Sequence, residues 1–332
     1  MSDGTGRARA CANIALAKYW GKSDIERNLP AVPSVSVTLD ALVTETSVAL
    51  DRSLARDEVS LDGAVREGED ADRASELLAG LRARARVASL DTHNTYARVV
   101  SVNHFPTASG LASSASGFAA LAAAGARAYG LALADAQLSA VARRASASAA
   151  RSLFGGFVEL PAGVPGDDAL AAHPIAPREH WDVAVVIALA TIARKKTGSR
   201  DGMNETARTS PYYAAWVATA PETAREVREG VLARDLTRVG EAMEASTFAM
   251  HASAWAARPA VRYARAATMT LLDAVEALRH DGVAAYATMD AGPHVKVLCA
   301  GCDAERVANA MRATGVTVDV RVARPGPGVS YL

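Results

Sequence analysis

The stretch Pro106-Thr107-Ala108-Ser109-Gly110-Leu111-Ala112-Ser113-Ser114-Ala115-Ser116 constrains this chain more than any other. The pattern from Tyr96 to Val102 predicts a strand running into it, and the Ala-rich run from Ser113 to about Tyr129 predicts a helix running out. That helix is too weakly apolar for a membrane span and carries Arg127, so it is expected to be buried inside a folded domain. A Gly/Ser loop that opens a helix presents unpaired backbone N–H groups and the positive end of the helix dipole. Phosphate is the usual guest of such a site. Serines there are also ordinary helix caps, so the loop alone leaves both readings open. No Gly-Lys-Ser/Thr follows, so this is not a Walker A loop, and any cation for a phosphate must come from elsewhere in the chain.

Cation usage narrows the search. Of 36 basic residues only Lys18, Lys22, Lys195, Lys196 and Lys296 are lysine, and the rest are arginine. Lysine is a compact point charge and arginine a planar fork, so a lysine kept in so arginine-rich a chain marks a position where the two are not interchangeable. Four of the five fall in two clusters, Lys18/Lys22 and Lys195/Lys196.

The first cluster lies in Asn13-Ile-Ala-Leu-Ala-Lys18-Tyr19-Trp20-Gly21-Lys22, within a segment expected to be irregular from Arg9 to Gly21. Strands are expected at Ser34–Leu39 and Thr44–Leu50, and a helix at Ala71–Arg86 in a charged stretch (51–95) with no sign of chemistry. After a helix from Asp135 to Ala145 comes Ser146-Ala147-Ser148-Ala149-Ala150-Arg151-Ser152, where Ser148 and Arg151 share a helical face. Trp181–Ala190 is a continuous apolar run, expected as a buried strand at the seam between two halves. It empties into Lys195-Lys196-Thr197-Gly198-Ser199-Arg200-Asp201-Gly202-Met203, a second candidate anion site or simply an exposed basic turn. Thr209–Gly282 is helical in pattern, with breaks expected near Pro221, Asp235 and Pro259, and His251 is expected as a core histidine. Strand Ala284–Met289 ends at Asp290-Ala291-Gly292-Pro293-His294. An acid there is either a base in waiting or a residue bonding its own turn.

A length of 332 residues fits one large domain or two ordinary ones, and half the residues are hydrophobic, enough for a substantial core. Zero formal net charge argues against a general nucleic-acid or membrane-surface binder. No basic segment followed by an apolar one opens the chain, so no secretory signal is expected. Cys11 stands alone, and Cys299 and Cys302 lack a second ligand pair, so reduced cysteines in a cytoplasmic protein are expected.

Taken together, five of these stretches resemble the diphosphomevalonate decarboxylase family of the GHMP small-molecule kinase superfamily. They are Asn13 to Lys22, Phe105 to Ser116, Ser146-x-Ser-x-x-Arg-Ser152 with Phe154-Gly-Gly-Phe157, Ser199-Arg-x-Gly-Met203, and Met289-Asp-Ala-Gly-Pro293. They run in family order and span nearly the whole chain. The resemblance implies an α+β, two-domain GHMP kinase fold, with a ribosomal protein S5 domain 2-like N-terminal domain (1–185) and an α/β-sandwich C-terminal domain (186–332). The site would lie in the cleft between them.

It also implies two substrates, ATP with Mg²⁺ and mevalonate 5-diphosphate. ATP phosphates would rest on Pro106, Ser109, Gly110, Leu111, Ala112, Ser113, Ser114 and Ser116, with Lys18, Lys195 and Lys196 supplying cations. Tyr19, Lys22, Ser146, Ser148, Ser199 and Arg200 would hold the diphosphate, with Met203 packed beside it. Arg151 would grip the carboxylate and Asp290 the tertiary hydroxyl, leaving Lys18, Arg151 and Asp290 as the catalytic set. No metal ligand is assigned. A cytoplasmic homodimer is implied as well. The competing activities are decarboxylation of mevalonate 5-phosphate, or phosphorylation without decarboxylation. This chain departs from the family where Ala145 and Ala147 replace glycines, expected here inside a helix, and where His294 replaces an asparagine.

Overall fold

A computed structural model describes residues 4–105, 113–191 and 197–332. In chain order the strands are β1 (Thr5–Ala17), β2 (Lys22–Asp24), β3 (Leu29–Pro30), β4 (Ser34–Asp51), β5 (Glu58–Leu61), β6 (Ala64–Val65), β7 (Tyr96–Asn103), β8 (Phe157–Leu160), β9 (His173–Ala176), β10 (Val183–Leu189), β11 (Ala285–Thr288), β12 (Val295–Ala300), β13 (Asp319–Ala323) and β14 (Ser330–Tyr331). The α-helices are α1 (Glu69–Val87), α2 (Ser113–Ala128), α3 (Asp135–Ala145), α4 (Ser199–Thr209), α5 (Tyr213–Ala233), α6 (Leu236–Trp255), α7 (Ala266–His280) and α8 (Ala304–Ala313).

The larger sheet runs β14-β1-β4-β7-β5-β6, with β8 and then β9 joined to β4. Long β4 forks it. The C-terminal half pairs antiparallel with β7 (Thr44↔Asn103 to Asp51↔Tyr96), and the N-terminal half with β8 (Ser34↔Leu160 to Val37↔Phe157). Helices α1, α2 and α3 cover one face through Leu77, Leu78, Leu81, Phe118, Leu121 and Leu138. The alanines of α2 have a steric reason: a Cβ on Gly6 of β1 would fall 2.0 Å from the Ala124 carbonyl oxygen. Helix backbone and strand backbone meet directly, which only small side chains allow.

The smaller sheet, β11-β12-β10-β13, is antiparallel and carries α7 and α8 on one face. Its other face shares a core with β1, β4, α5 and α6, in which Ile14, Leu16, Val37, Val185, Ile187, Val227 and Met243 pack together. The ends of β1 and β11 are thereby brought to one place. The last residues return to the larger sheet, where Tyr331 pairs with Ala8.

Three expectations are corrected. The segment from Arg9 is regular strand up to Ala17; bulges between Cys11 and Asn13 and between Ala15 and Ala17 break the alternation that would have revealed it. The two strands expected between Ser34 and Leu50 are the single β4. Pro221 lies inside α5 rather than ending a helix. An internal proline costs roughly 3 kcal/mol, and burial of Trp216, Ala220, Ala224, Val227 and Val231 along one stripe of α5 offsets it.

Candidate active site

Asp290 follows β11 by two residues, and its carboxylate is held from both sides. Lys18, just past the end of β1, donates Nζ–H to Oδ1 at 2.7 Å, and Lys296 of β12 donates to Oδ2 at 2.9 Å. The side chains of Lys18 and Lys296 are 2 % and 0 % exposed, whereas Asp290 keeps 23 %, so one edge of the carboxylate remains open. Lys18 is fixed further by its Nζ bond to the Ala15 carbonyl (3.0 Å) and by its backbone N–H on Ser246 Oγ of α6 (2.9 Å). Burial by itself would raise the Asp290 carboxyl; the two ammonium groups outweigh it and hold the group well below the usual carboxylate range. Burial pushes the Lys18 ammonium down to about 8 against the pull of Asp290. Lys18, expected among the phosphate cations and in the catalytic set, spends one N–H on Asp290 and one on the Ala15 carbonyl. Lys296 went unassigned in the sequence. Its signal was there, a lone lysine in an apolar strand of an arginine-rich chain.

Arg151 sits in a 3-10 helix, Ala147–Leu153, and is 2 % exposed. Its Nε donates to Ser36 Oγ (3.0 Å) and Asn13 Oδ1 (3.3 Å), Nη1 to Ser34 Oγ (2.6 Å) and Nη2 to Asn13 Oδ1 (3.2 Å). Each terminal nitrogen therefore retains a second N–H. No carboxylate lies in ion-pair range among the described residues, although Asp290 and Tyr19 act on it at longer distance, and burial pushes the guanidinium down to about 10. Asn13 is a further residue that sequence reasoning passed over. It accepts from Arg151 while its Nδ2 donates to Ser148 O (2.9 Å) and Ser152 Oγ (2.7 Å), locking the 3-10 turn to β1.

The helix expected across Ala145 and Ala147 breaks at Ser146, which is extended (φ −153°, ψ 119°) between α3 and the 3-10 turn. Neither alanine has positive φ, so their methyls carry no backbone strain. Ser146 and Ser148 share a hydroxyl–hydroxyl bond at 3.1 Å.

A third group of charges lies alongside. The Tyr19 hydroxyl is buried with no hydrogen-bond partner among the described residues. Burial, then the fields of Arg200 and Arg73, push the Lys22 ammonium down to about 8. Ser199 and Arg200 open α4, where Arg200 lies 3.5 Å from Glu69, and Met203 is buried in a cluster with Trp20. Arg73 of α1, in the stretch 51–95 where no chemistry was expected, lies close enough for its charge to act on Lys22. Its Nε and Nη2 donate to the Ala145 carbonyl (2.9 and 2.6 Å) and its guanidinium covers the Phe118 ring, while burial and the charge of Arg200 depress it. Nothing in the local sequence marks Arg73, because α1 is studded with arginines.

Pro106, Ser109, Gly110, Leu111 and Ala112 lie outside the described residues, as do Lys195 and Lys196. Ser113 is half-buried and Ser114 exposed at the start of α2. Ser116 is turned inward, sharing its hydroxyl with Thr44 Oγ1 at 2.7 Å. His251 is buried on α6 with Tyr263 edge-on, and burial followed by the charge of Lys18 pushes it down to about 4, so it is a neutral core histidine. Among the described residues no group of three or more His, Cys, Asp or Glu could hold a metal ion.

The site thus offers a clamped carboxylate, a buried guanidinium with N–H groups to spare, and a cationic cluster beside a hydroxyl unpartnered among the described residues. Comparison with known proteins gives the same pieces a context. Residues 10–171 match the family model for a diphosphomevalonate decarboxylase-like N-terminal domain, and residues 185–320 that for a mevalonate 5-diphosphate decarboxylase C-terminal domain. The chain is 38 % identical to a diphosphomevalonate decarboxylase of Candida albicans over 87 % of its own length and 82 % of the relative's. Its structure superposes on that of MDDEF in complex with MVAPP, AMPPCP and magnesium with a TM-score of 0.90, at 37 % identity over 99 % of this chain and 98 % of the other. Mevalonate diphosphate decarboxylase from Staphylococcus aureus gives a TM-score of 0.91 at 34 % identity, again over 99 % and 98 %.

Proposed function

The chain belongs to the diphosphomevalonate decarboxylase family, and we propose on that premise that it converts mevalonate 5-diphosphate and ATP to isopentenyl diphosphate, ADP, phosphate and CO₂. Its fold is the two-domain GHMP-type fold that the resemblance implied. The observation that carries the reading is the Asp290 carboxylate held by two buried lysines, with the buried Arg151 acting on it at longer distance. A substrate bearing a hydroxyl and a carboxylate on one short chain has use for both.

Tyr19, Lys22, Arg73, Ser146, Ser148, Ser199 and Arg200 are assigned to the diphosphate, with Met203 as an apolar wall. Arg151 is assigned to the carboxylate, through the N–H groups its buried partners leave free. Ser113 and Ser114, with the loop before them and Lys195/Lys196, are assigned to ATP. Magnesium fits a site without an acidic cage, because it is held largely by nucleotide phosphates and water. When bound it would neutralise charge on the phosphoryl group in transfer.

Asp290 accepts the hydrogen bond of the tertiary hydroxyl and aims its oxygen at the γ-phosphate. A carboxylate so strongly stabilised by two ammonium groups is a weak base. The hydroxyl oxygen therefore attacks the γ-phosphorus as the bond to the β-phosphate oxygen breaks with its electron pair onto ADP, and the proton, made acidic by the new O–P bond, passes through Asp290 to water and leaves the carboxylate charged. Phosphate then departs with the C–O bond pair. Positive charge grows on the tertiary carbon, and the Asp290 carboxylate stabilises it. The bond to the substrate carboxylate breaks, its electron pair forms the alkene, and CO₂ is released.

The test is purified protein with Mg-ATP and each of mevalonate, its 5-phosphate and its 5-diphosphate, with ADP and CO₂ measured separately. Equal ADP and CO₂ from the diphosphate alone is the expected result. ADP without CO₂ would establish a kinase instead, and CO₂ from the monophosphate a different substrate.

The cationic pocket carries a pH signature. Lys22 must be charged to attract a diphosphate, and its ammonium deprotonates near 8 in the free protein. Diphosphate affinity is therefore present below pH 8 and lost as pH rises through it, at up to about tenfold per pH unit. Calorimetric titration of substrate from pH 7 to 9.5 checks this. Lys22→Arg, charged throughout, should flatten the profile, and an unchanged profile would remove Lys22 from the diphosphate site.

We keep two domains as part of the reading: the two family models cover 10–171 and 185–320, which puts their division at 171–185, on the N-terminal side of the expected 185/186. The cytoplasmic homodimer rests on the family resemblance. Among the described residues no helix is long and apolar enough to cross a membrane.

A further inference from the structure

We propose that Lys296 is a positioning residue of this reaction, fixing the Asp290 carboxylate by Oδ2 so that its remaining lone pairs point at the substrate hydroxyl. The inference rests on the decarboxylase reading above and adds a residue to it. Lys296 lies in β12 between Val295 and Val297, fully buried, and its one side-chain hydrogen bond among the described residues goes to Asp290. An ammonium in an apolar strand is costly unless paired, so the position has a use for the charge. The register Thr288↔Lys296 sets the lysine across from the strand whose end delivers Asp290, and the tight Gly292 N–H to Asp290 C=O bond (2.7 Å) holds the backbone there.

Lysine rather than arginine is the informative choice. A guanidinium fork takes both oxygens of a carboxylate side by side and covers that edge. Two separate ammonium groups, Lys18 on Oδ1 and Lys296 on Oδ2, take one lone pair from each oxygen and leave the others free. This chain uses arginine at nearly every basic position, yet both cations on Asp290 are lysines. The groups acting on Asp290 are Lys18 at the end of β1, Lys296 on β12, Arg151 on the 3-10 turn and neutral His251 on α6. With Lys296 removed, Lys18 alone is left in contact and the carboxylate can swing.

Lys296→Met and Lys296→Arg are compared with the wild type for kcat, KM, the pH profile of kcat, melting temperature and binding of a non-hydrolysable ATP analogue. Lys296→Met is expected to lower kcat about a hundredfold with KM within about threefold, and to move the acid limb of kcat up by about one pH unit or more. Lys296→Arg keeps the charge and so the acid limb, but blocks the carboxylate edge and leaves kcat at least about tenfold down. A wild-type kcat and acid limb in Lys296→Met, or full kcat in Lys296→Arg, overturns the proposal, the latter by showing that any buried cation suffices. If Lys296→Met does not fold, Lys296→Arg decides alone. A wild type that releases no CO₂ would instead fault the functional reading, so the two failures are distinguishable.

Discussion

Asp290→Asn is expected to lower turnover by about three orders of magnitude or more, with affinity for a non-hydrolysable ATP analogue changed only a few fold. The amide matches the carboxylate in size but carries no charge, and one of its two ends is a donor. It therefore turns an N–H toward either Lys18 or Lys296, each of which is itself a donor. The substrate hydroxyl loses its acceptor and the developing carbocation loses its counter-charge. Two buried ammonium groups are also left without a counter-charge, which costs stability on the order of 3–5 kcal/mol. A lower melting temperature should accompany the loss of turnover, and the retained nucleotide binding shows that the variant is folded. Single-turnover measurement of ADP and CO₂ is the check. Turnover within tenfold of wild type would remove Asp290 from the chemistry.

Arg151→Lys is expected to raise KM for the mevalonate substrate by about two orders of magnitude and to leave the KM for ATP nearly unchanged. The guanidinium spends donors on Ser34, Ser36 and Asn13 and still has N–H groups for a ligand. A lysine ammonium has three donors for those same three partners and none left for a carboxylate. Charge is kept while the fork is lost, so the variant separates bidentate recognition from simple attraction. Equal effects on both substrates would count against placing the carboxylate at Arg151. If this reading holds, Asn13→Ala should copy part of the effect, because Asn13 carries two of the four bonds that orient the fork.

The motif-bearing residues were legible because each sits in a stretch whose residue types have few uses. A lysine pair around Tyr19, an arginine after small residues and an acid before Gly-Pro were each open locally to a ligand role or a structural one, and their order along the chain tied them to one family. The secondary elements were legible for the same local reason. Periodicity gave α3 and the buried β10, and placed β7 and α1 nearly to their ends. Errors arose where periodicity was interrupted or overruled, at the bulges of β1 and at Pro221. Arg73 and Lys296 escaped because their significance is not local. One is an arginine among arginines on a surface-patterned helix, and the other a single charge in a strand.

By itself, then, the sequence determined the family and the order of most elements, and singled out Lys18, Arg151 and Asp290 as candidate groups. Short-range patterning encodes these, and patterning survives in one dimension. Only the tertiary structure decided how the charges are spent. Lys18 and Asp290 are 272 residues apart, and they meet because β1, α6 and the small sheet share one apolar core that brings the ends of β1 and β11 together. Once they meet in a nearly dry space, Coulomb attraction is strong enough to commit Lys18 to one oxygen of the carboxylate and Lys296 to the other. That commitment depends on distance and burial, which the sequence holds only through the fold.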